Sequence, residues 1–497
     1  MPRTTIRTED ITADAVTAPK IATGAVPAFD DSGLQDDIAL LAFKTQANGS
    51  LARYNLVDQS VDSFEDASGV DASASTNESR NAGKYYEGVT SVTPTVTSNH
   101  DSTGTDGDYT WYKWTTVTSS GSYVINTTQD HTYLVVGGGG SGGTQFSGNS
   151  NAAGGGGGGG VLTNHGVGTA QSLTASTTYT ITVGAGGAAG AGTSGEHNGS
   201  VGVASSIAGS GLTTLTADGG GWGNTGGSGA AGPGGSGGGG GAGKPAGTAT
   251  QGNIGTGIGY GEDGGAGGSP AHGGGGGGAS QGGDAGGTNN GEGGDGIANS
   301  ITGASVIYAA GGAGGGSASA TAGGAGGSSG IGGDGGNYKT NNATAGDVNT
   351  GSGGGGGGSS QSTIAVPSGA GGTGIVILRR KTTSTQEGAN MTLVSNTQTA
   401  KSQPTKGDIV LTYTNGTGTT TLDTDLIASV SRDNGTTYTA VPLTLQGTSG
   451  GHNIATGHDV DISSQPAGTS MRWKVVTANQ SSGSKTTRLQ AVSLGWS

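Results

Sequence analysis

Leu34, Ile38, Leu41 and Thr45 follow one another at spacings of four, three and four, the period of one helical face. Ser32 and Gln35 have the form of a capping box ahead of that face, and Asn48-Gly49 can end it. The pattern predicts a short N-terminal coiled-coil helix with a seam along Leu34, Ile38 and Leu41. A helix of this length is marginal alone in water, so the seam must pack against sister chains or fold back on its own domain. A three-chain bundle is the expectation.

Farther along, the period changes. Between 117 and 381, apolar bursts run into or out of glycine tracts. Residues 134–136 enter 137–140, the run 154–160 leads into Val161 and Leu162, residues 181–183 enter Gly184, and 306–308 lead to Gly311. The region closes on Ile375, Val376, Ile377 and Leu378. A framework of strands carrying glycine excursions would read this way. So would packed polyproline II helices, in which bare backbones come close enough to hydrogen-bond, the runs 273–278 and 353–358 each spanning roughly 19 Å at about 3.1 Å per residue. A flexible coil is the ordinary reading of glycine-rich sequence, but strand-forming bursts at intervals argue against it. From Ala389 to Ser497 strands alternate with turn signals: 409–414 before Asn415-Gly416, 426–431 before Asp433-Asn434-Gly435, and Met471, Trp473 and Val475 alternating with Arg472 and Lys474. Val492, Leu494 and Trp496 share one face of the last strand, and a C-terminal β-sandwich is predicted.

Composition sharpens this picture. The 497 residues include 114 Gly, with 30% hydrophobic and 4% aromatic residues, too little apolar material for one conventional core. The net charge of −14 comes from 11% charged residues thinly spread, which disfavours nucleic acid as a partner. No run approaches the roughly 18 apolar residues that span a bilayer, and Met1 to Thr5 lack the apolar stretch of a signal peptide. A soluble, unsecreted chain without membrane insertion is expected. Without cysteine, stability outside a cell must come from oligomerisation or hydrogen bonding.

The stretches 11–16 and 21–26 (ITADAV and IATGAV) form a short repeat that resembles those near the start of phage tail-fibre proteins. Residues 52–58 and 61–66 resemble the beginning of shaft regions in marine phage fibres, and 133–380 resembles the glycine-rich domains of phage tail fibres and tail-tip adhesins. The C-terminal segment is similar to terminal modules of marine phage fibres. The resemblance implies stacked polyproline II helices whose distal loops contact a bacterial receptor. It also implies a homotrimer in the virion, assembled in host cytoplasm and held by its N-terminus to phage tail or capsid proteins.

On that basis the non-glycine interruptions are the receptor-binding candidates: Trp222 and Asn224, Tyr260 and Glu262, His272 beside Pro270, and Asn337 with Tyr338. Their aromatic, amide and hydroxyl groups suit a bacterial surface glycan or protein. The fold class expected is mainly β with a polyproline II glycine-rich domain, divided into an attachment and stalk repeat at 1–33, a helix and β shaft at 34–116, the glycine-rich domain at 117–381 and the sandwich at 389–497.

Other motifs carry little. Gly238 to Lys244 begins like a phosphate loop, but Pro245 replaces the hydroxyl residue that would hold magnesium. The G-x-S-x-G match at Ser141 arises by chance in glycine-saturated sequence. His452 and His458 near Asp459 and Asp461, and the acidic turn Asp101, Asp106 and Asp108, do not form convincing metal sites. Nothing pairs carboxylates as a polysaccharide hydrolase requires. The readings left are an adhesin, a purely structural virion spacer and, behind both, a hydrolase; no catalytic residue, cofactor or metal is assigned.

Overall fold

The computed structural model describes residues 32–49, 54–56, 58–82, 84–145, 151–191, 197–227, 229–269, 271–287, 289–317, 322–327, 330–339, 342–359, 366–481 and 484–497. The repeat at 11–26 lies outside them. The chain forms two compact units, one of residues 1–92 and 385–497, the other of 93–384. It is mainly β, with one helix, Ser32–Gly49, among the described residues.

In the first unit the two ends of the chain share one sheet. Gln59–Asp62 pairs antiparallel with Thr486–Trp496, Gln59 opposite Gly495, and Lys406–Thr417 lies on the other side of that last strand. A second sheet is built on Leu426–Ser431 and Ser470–Thr477. Both sheets feed a single apolar cluster: Ile409, Leu411, Leu489 and Leu494 come from the first, and Leu426, Val430, Met471 and Trp473 from the second. Phe64 sits edge-on to Tyr86, with ring centroids 4.9 Å apart, and also meets Trp473. The alternation at 471–475 is realised, with those three apolar side chains buried.

Two local expectations are corrected. Asn415-Gly416 does not end its strand, which runs on to Thr417; a shift in register between Asn415 and Thr417 absorbs the turn-prone pair as a bulge. The boundary at 117 also moves, because Tyr109–Trp114 pairs with Ile375–Lys381 and so belongs to the glycine-rich unit. Of the helix and shaft expected at 34–116, the part up to Val92 forms one unit with the segment 389–497, expected as a separate domain, because strand pairing joins residues about 400 positions apart, a relation that local periodicity does not carry.

The helix spans the predicted residues but packs by a different face. Ala39, Ala42 and Phe43 are buried against Val61, Val410, Ile454 and Ala491, whereas Leu34, Ile38 and Leu41 are 55%, 37% and 66% exposed. Small alanines let the helix approach the sheet closely, leaving the leucine stripe outward. A polar contact also holds it: His458 Nε2 is 2.9 Å from Asp36 on the helix, and its Nδ1 is 3.5 Å from Asp408 on the sheet.

In the second unit, Ile375–Lys381 lies between Gln129–Val136 and Tyr109–Trp114 in a seven-stranded sheet, and Tyr179–Val183 lies at the centre of a five-stranded one. The two share a cluster including Trp114, Tyr123, Ile181 and Leu378. Within it His131 is buried, receiving the Tyr123 hydroxyl at 2.8 Å on Nε2 and directing Nδ1 to the Gln129 carbonyl at 2.9 Å. Burial holds that imidazole neutral, its pKa pushed down to about 4.

Beyond the strand ends the glycine tracts form a lattice. Along 152–160, the N–H groups of Ala152, Gly155 and Gly158 donate to carbonyls of Ala271, Gly274 and Gly277. Those of Ala153, Gly156 and Gly159 donate to Gly357, Gly354 and Gly351, and those of Gly154, Gly157 and Gly160 to Asn224, Gly221 and Asp218. Successive donors thus address three neighbouring tracts in rotation. The carbonyls accept in the same way from tracts containing Gly239, Gly312 and Gly140. The repeat of three matches the turn of polyproline II rather than the two-residue alternation of a strand.

This arrangement excludes side chains. A Cβ on Gly154, Gly155 or Gly156 would fall onto the carbonyl oxygen of Gly239, Gly312 or Gly140. The Cα hydrogen occupying that direction instead points at the oxygen, a contact contributing about 0.5–1 kcal/mol. At the periphery fewer neighbours surround a tract, and residues other than glycine return every third position: Asp263, Ala266 and Ser269; Glu292 and Asp295; Ala322 and Ala325.

Gly156→Ala is expected to lose more than about 3 kcal/mol of stability in the glycine-rich unit, whereas Gly252→Ala, with open space where its Cβ would sit, should stay within about 0.5 kcal/mol. Denaturant unfolding of both variants checks this. The His458 contact makes a second prediction. Asp408, and then Asp36, raise the His458 pKa above its ordinary 6.5 against the opposing effect of burial. The stabilisation is therefore complete below about pH 6.5 and is lost as pH rises through the raised value. Hydrogen exchange in the helix, corrected for intrinsic rate, should accelerate through that window in the native chain and show no such step in His458→Asn.

Candidate functional site

The hydrogen-bond register gives the lattice two ends. Gly137 donates to Gly160 next to the strands, while Gly143 donates to Gly154 at the opposite end of the same tract pair. Tract after tract is anchored by a strand on one side, as at Val136, Val161, Val183, Ser205, Ala217 and Ile375. The described residues of the connections, 144–145 and 151–152, 225–227 and 229–231, 268–269 and 271–272, and 337–339 and 342–343, gather at the other. A backbone lattice bonded in several directions is a stiff mount for these connections, because shifting one tract breaks bonds to several neighbours together.

The residues singled out from sequence separate on this frame. Tyr260 and Glu262 are at the strand end: Ile258–Tyr260 pairs with Val161–Thr163, and Glu262 N–H donates to Gly278. Tyr260 is half-buried against the Leu134 and Val161 cluster, and Glu262 is exposed. They are therefore not part of the far end. Trp222 lies along the side of the lattice, half-buried, its indole occupying the space a Cβ on Gly232 would need.

Asn224, His272, Asn337 and Tyr338 do belong to the far end, but two of them are withdrawn from the surface. Asn224 is fully buried; its Nδ2 donates to Ala230 O at 3.2 Å and its Oδ1 accepts from Gly226 N at 2.7 Å, cinching its own loop. His272 is 5% exposed, and its backbone closes a two-way bridge with Gly268. Both side chains are buried, so neither is available to a macromolecular ligand. Asn337 Oδ1 accepts from Gly323 N at 2.8 Å and ties two tracts together. Tyr338 remains half-exposed, with the Lys339 ammonium 4.7 Å from its ring centroid. Pro270 and residues 340–341 lie outside the described residues.

Sequence reading missed Lys339, Asn198, Asn289 and Asn342, which are exposed at the same end. The signal that would find them is the period of three, whose interruption marks where a tract turns. It missed equally that the flanks of the lattice are acidic: Asp263, Asp284, Glu292, Asp334 and Asp347 are all exposed there. Such a surface repels polyanions and other copies of itself.

The rejected motifs also find places. Ser141 is buried, its Oγ accepting from Ser200 N at 2.8 Å. Asp101 caps a turn by accepting from the N–H groups of Thr115 and Thr116, and Asp106 pairs with Arg379 at 2.7 Å.

Together these features define a β-framed protein whose second unit is held by a hydrogen-bonded glycine lattice. The chain belongs to the glycine-rich domain family, whose model matches residues 115–381. The match ends with the strand Ile375–Lys381 and begins just after its partner Tyr109–Trp114. No curated protein matches the chain.

Asn224→Ala should destabilise the glycine-rich unit by about 1–3 kcal/mol, since it strands the Gly226 N–H and loop carbonyls. Tyr338→Ala should leave stability within about 0.5 kcal/mol. Thermal unfolding of the two variants separates a structural residue from a surface one.

Proposed function

We propose that this chain is a non-enzymatic structural adhesin of a bacteriophage virion, a tail-fibre subunit that binds a bacterial surface glycan or protein through the far-end loops of its glycine lattice. The observation that carries this reading is the collection of loops on one end of a mount hydrogen-bonded in several directions. Such a frame tolerates change in the loops while holding their positions, which suits recognition of varied receptors. The tracts are read as polyproline II helices, the two facing sheets of the first unit as a β-sandwich, and the N-terminal segment as the attachment to tail or capsid proteins.

The exposed stripe of Leu34, Ile38 and Leu41 supports a homotrimeric coiled-coil seam. Three weak sites on one fibre raise avidity far above single-site affinity without a deep pocket. The competing reading, a spacer without receptor contact, draws support from the acidic flanks and the paucity of exposed aromatics among the described residues.

Purified full-length protein, mixed with candidate host bacteria, should bind their surface and block adsorption of the phage that carries it. A Tyr338→Ala, Lys339→Ala double variant should bind about tenfold more weakly while folding normally. Absence of binding to every host that the phage adsorbs to would leave the spacer reading standing and sink the adhesin.

A further inference from the structure

A cleft of ≈ 810 Å³ opens in the first unit beside the helix Ser32–Gly49 and over the sheet strands Lys406–Thr417, His452–Asp461 and Thr486–Trp496. Its size falls in the range of small-molecule sites, about 300–1,000 Å³. Leu40, Leu41, Phe43, Ile454 and Ala491 supply an apolar lining. The charged lining residues are Lys44, Lys84 and Arg488 against Glu65 alone, a local excess of cations in a chain whose net charge is −14.

These cations are unequally engaged. Lys84 pairs with Glu65. Arg488 donates from Nε to Glu87 at 3.1 Å, and its guanidinium carbon lies 5.0 Å from the Tyr85 ring centroid. Lys44 is exposed and makes no ion pair among the described residues. Gln490 is engaged with the sheet, donating to Thr414 Oγ1 at 2.6 Å.

We propose that this cleft binds an anionic amphiphile, with an aliphatic body against Leu41, Phe43 and Ile454 and a carboxylate or phosphate head at Lys44 and Arg488. Lys44, which has no ion pair among the described residues, selects the anion, and the aliphatic wall selects the body. A neutral sugar finds no open aromatic platform, because Tyr85 already carries Arg488 and Phe43 is 8% exposed. The site belongs to the first unit and stands whether or not the lattice loops bind a receptor.

Calorimetric titration of the full-length chain, below micelle-forming concentrations, with dodecanoate, dodecyl phosphate, dodecyl maltoside and inorganic phosphate tests the assignment. One or both anionic chains should bind once per chain and saturate, the stronger naming the head group. The maltoside should bind at least about tenfold more weakly and inorganic phosphate not measurably, and added salt should weaken the anion. Lys44→Gln, at an exposed position without a partner, should weaken binding several-fold while folding normally, and Arg488→Gln should weaken it further. Lys401→Gln, outside the cleft, should change nothing. Equal affinity for the maltoside, or unchanged affinity in Lys44→Gln, overturns the proposal. So does a cleft that takes none of the probes.

Discussion

Backbone amides in the glycine-rich unit hydrogen-bond from tract to tract, and the rest of that unit follows from keeping those bonds satisfied. A glycine loses more conformational freedom on ordering than any other residue, so a lattice of glycines needs a compensating gain at nearly every position. The donors along 152–160 obtain it by reaching three neighbours in turn while the carbonyls accept from three more. Absence of a Cβ at the inward-facing positions, as at Gly154, Gly155 and Gly156, is what brings the chains into range. Elsewhere a core excludes water by apolar packing; here it does so by backbone contact, with hydrogen bonds taking the place of side-chain burial.

The strands are the device that starts such a lattice. Val136, Val183, Ala217 and their neighbours end strands registered by ordinary sheet pairing and by an aromatic and aliphatic core, so each tract leaves with its position already set. The first unit relies wholly on the ordinary means: two sheets over a shared apolar cluster, and a helix seated by alanines and by His458 between Asp36 and Asp408. One chain thus uses two different kinds of core, and its unusual composition belongs to only one of them.

This division gives a physical basis for the adhesive reading. A stiff lattice fixes the positions at which its tracts turn, so most side chains at that end carry little of the burden of stability. Asn224 and Asn337 show the exceptions, side chains committed to cinching a turn or tying tracts together. Exposed acidic side chains on the outer tracts, Asp263, Asp284, Glu292, Asp334 and Asp347, keep the flanks from associating and leave the loop end as the surface suited to contact.

Much of this was legible in sequence. The helix limits follow from Ser32, Gln35 and Gly49; the strand-to-tract junctions at Val136, Val161, Val183 and Ile375 follow from apolar bursts against glycine; the alternation at Met471, Trp473 and Val475 shows its buried face. These are local properties, set by capping, side-chain period and the freedom of glycine, and the sequence by itself determined them. Tertiary structure alone decided which helix face is covered, because Ala39 and Phe43 gain a partner only when strands from both ends of the chain meet beneath them. It decided that Asn224 and His272 turn inward while Tyr338 stays at the surface, since the same residue types occur in buried and open turns alike. It also decided which tracts neighbour each other, because glycine has no side chain with which to specify a partner, and the choice falls to the strands and turns that deliver it.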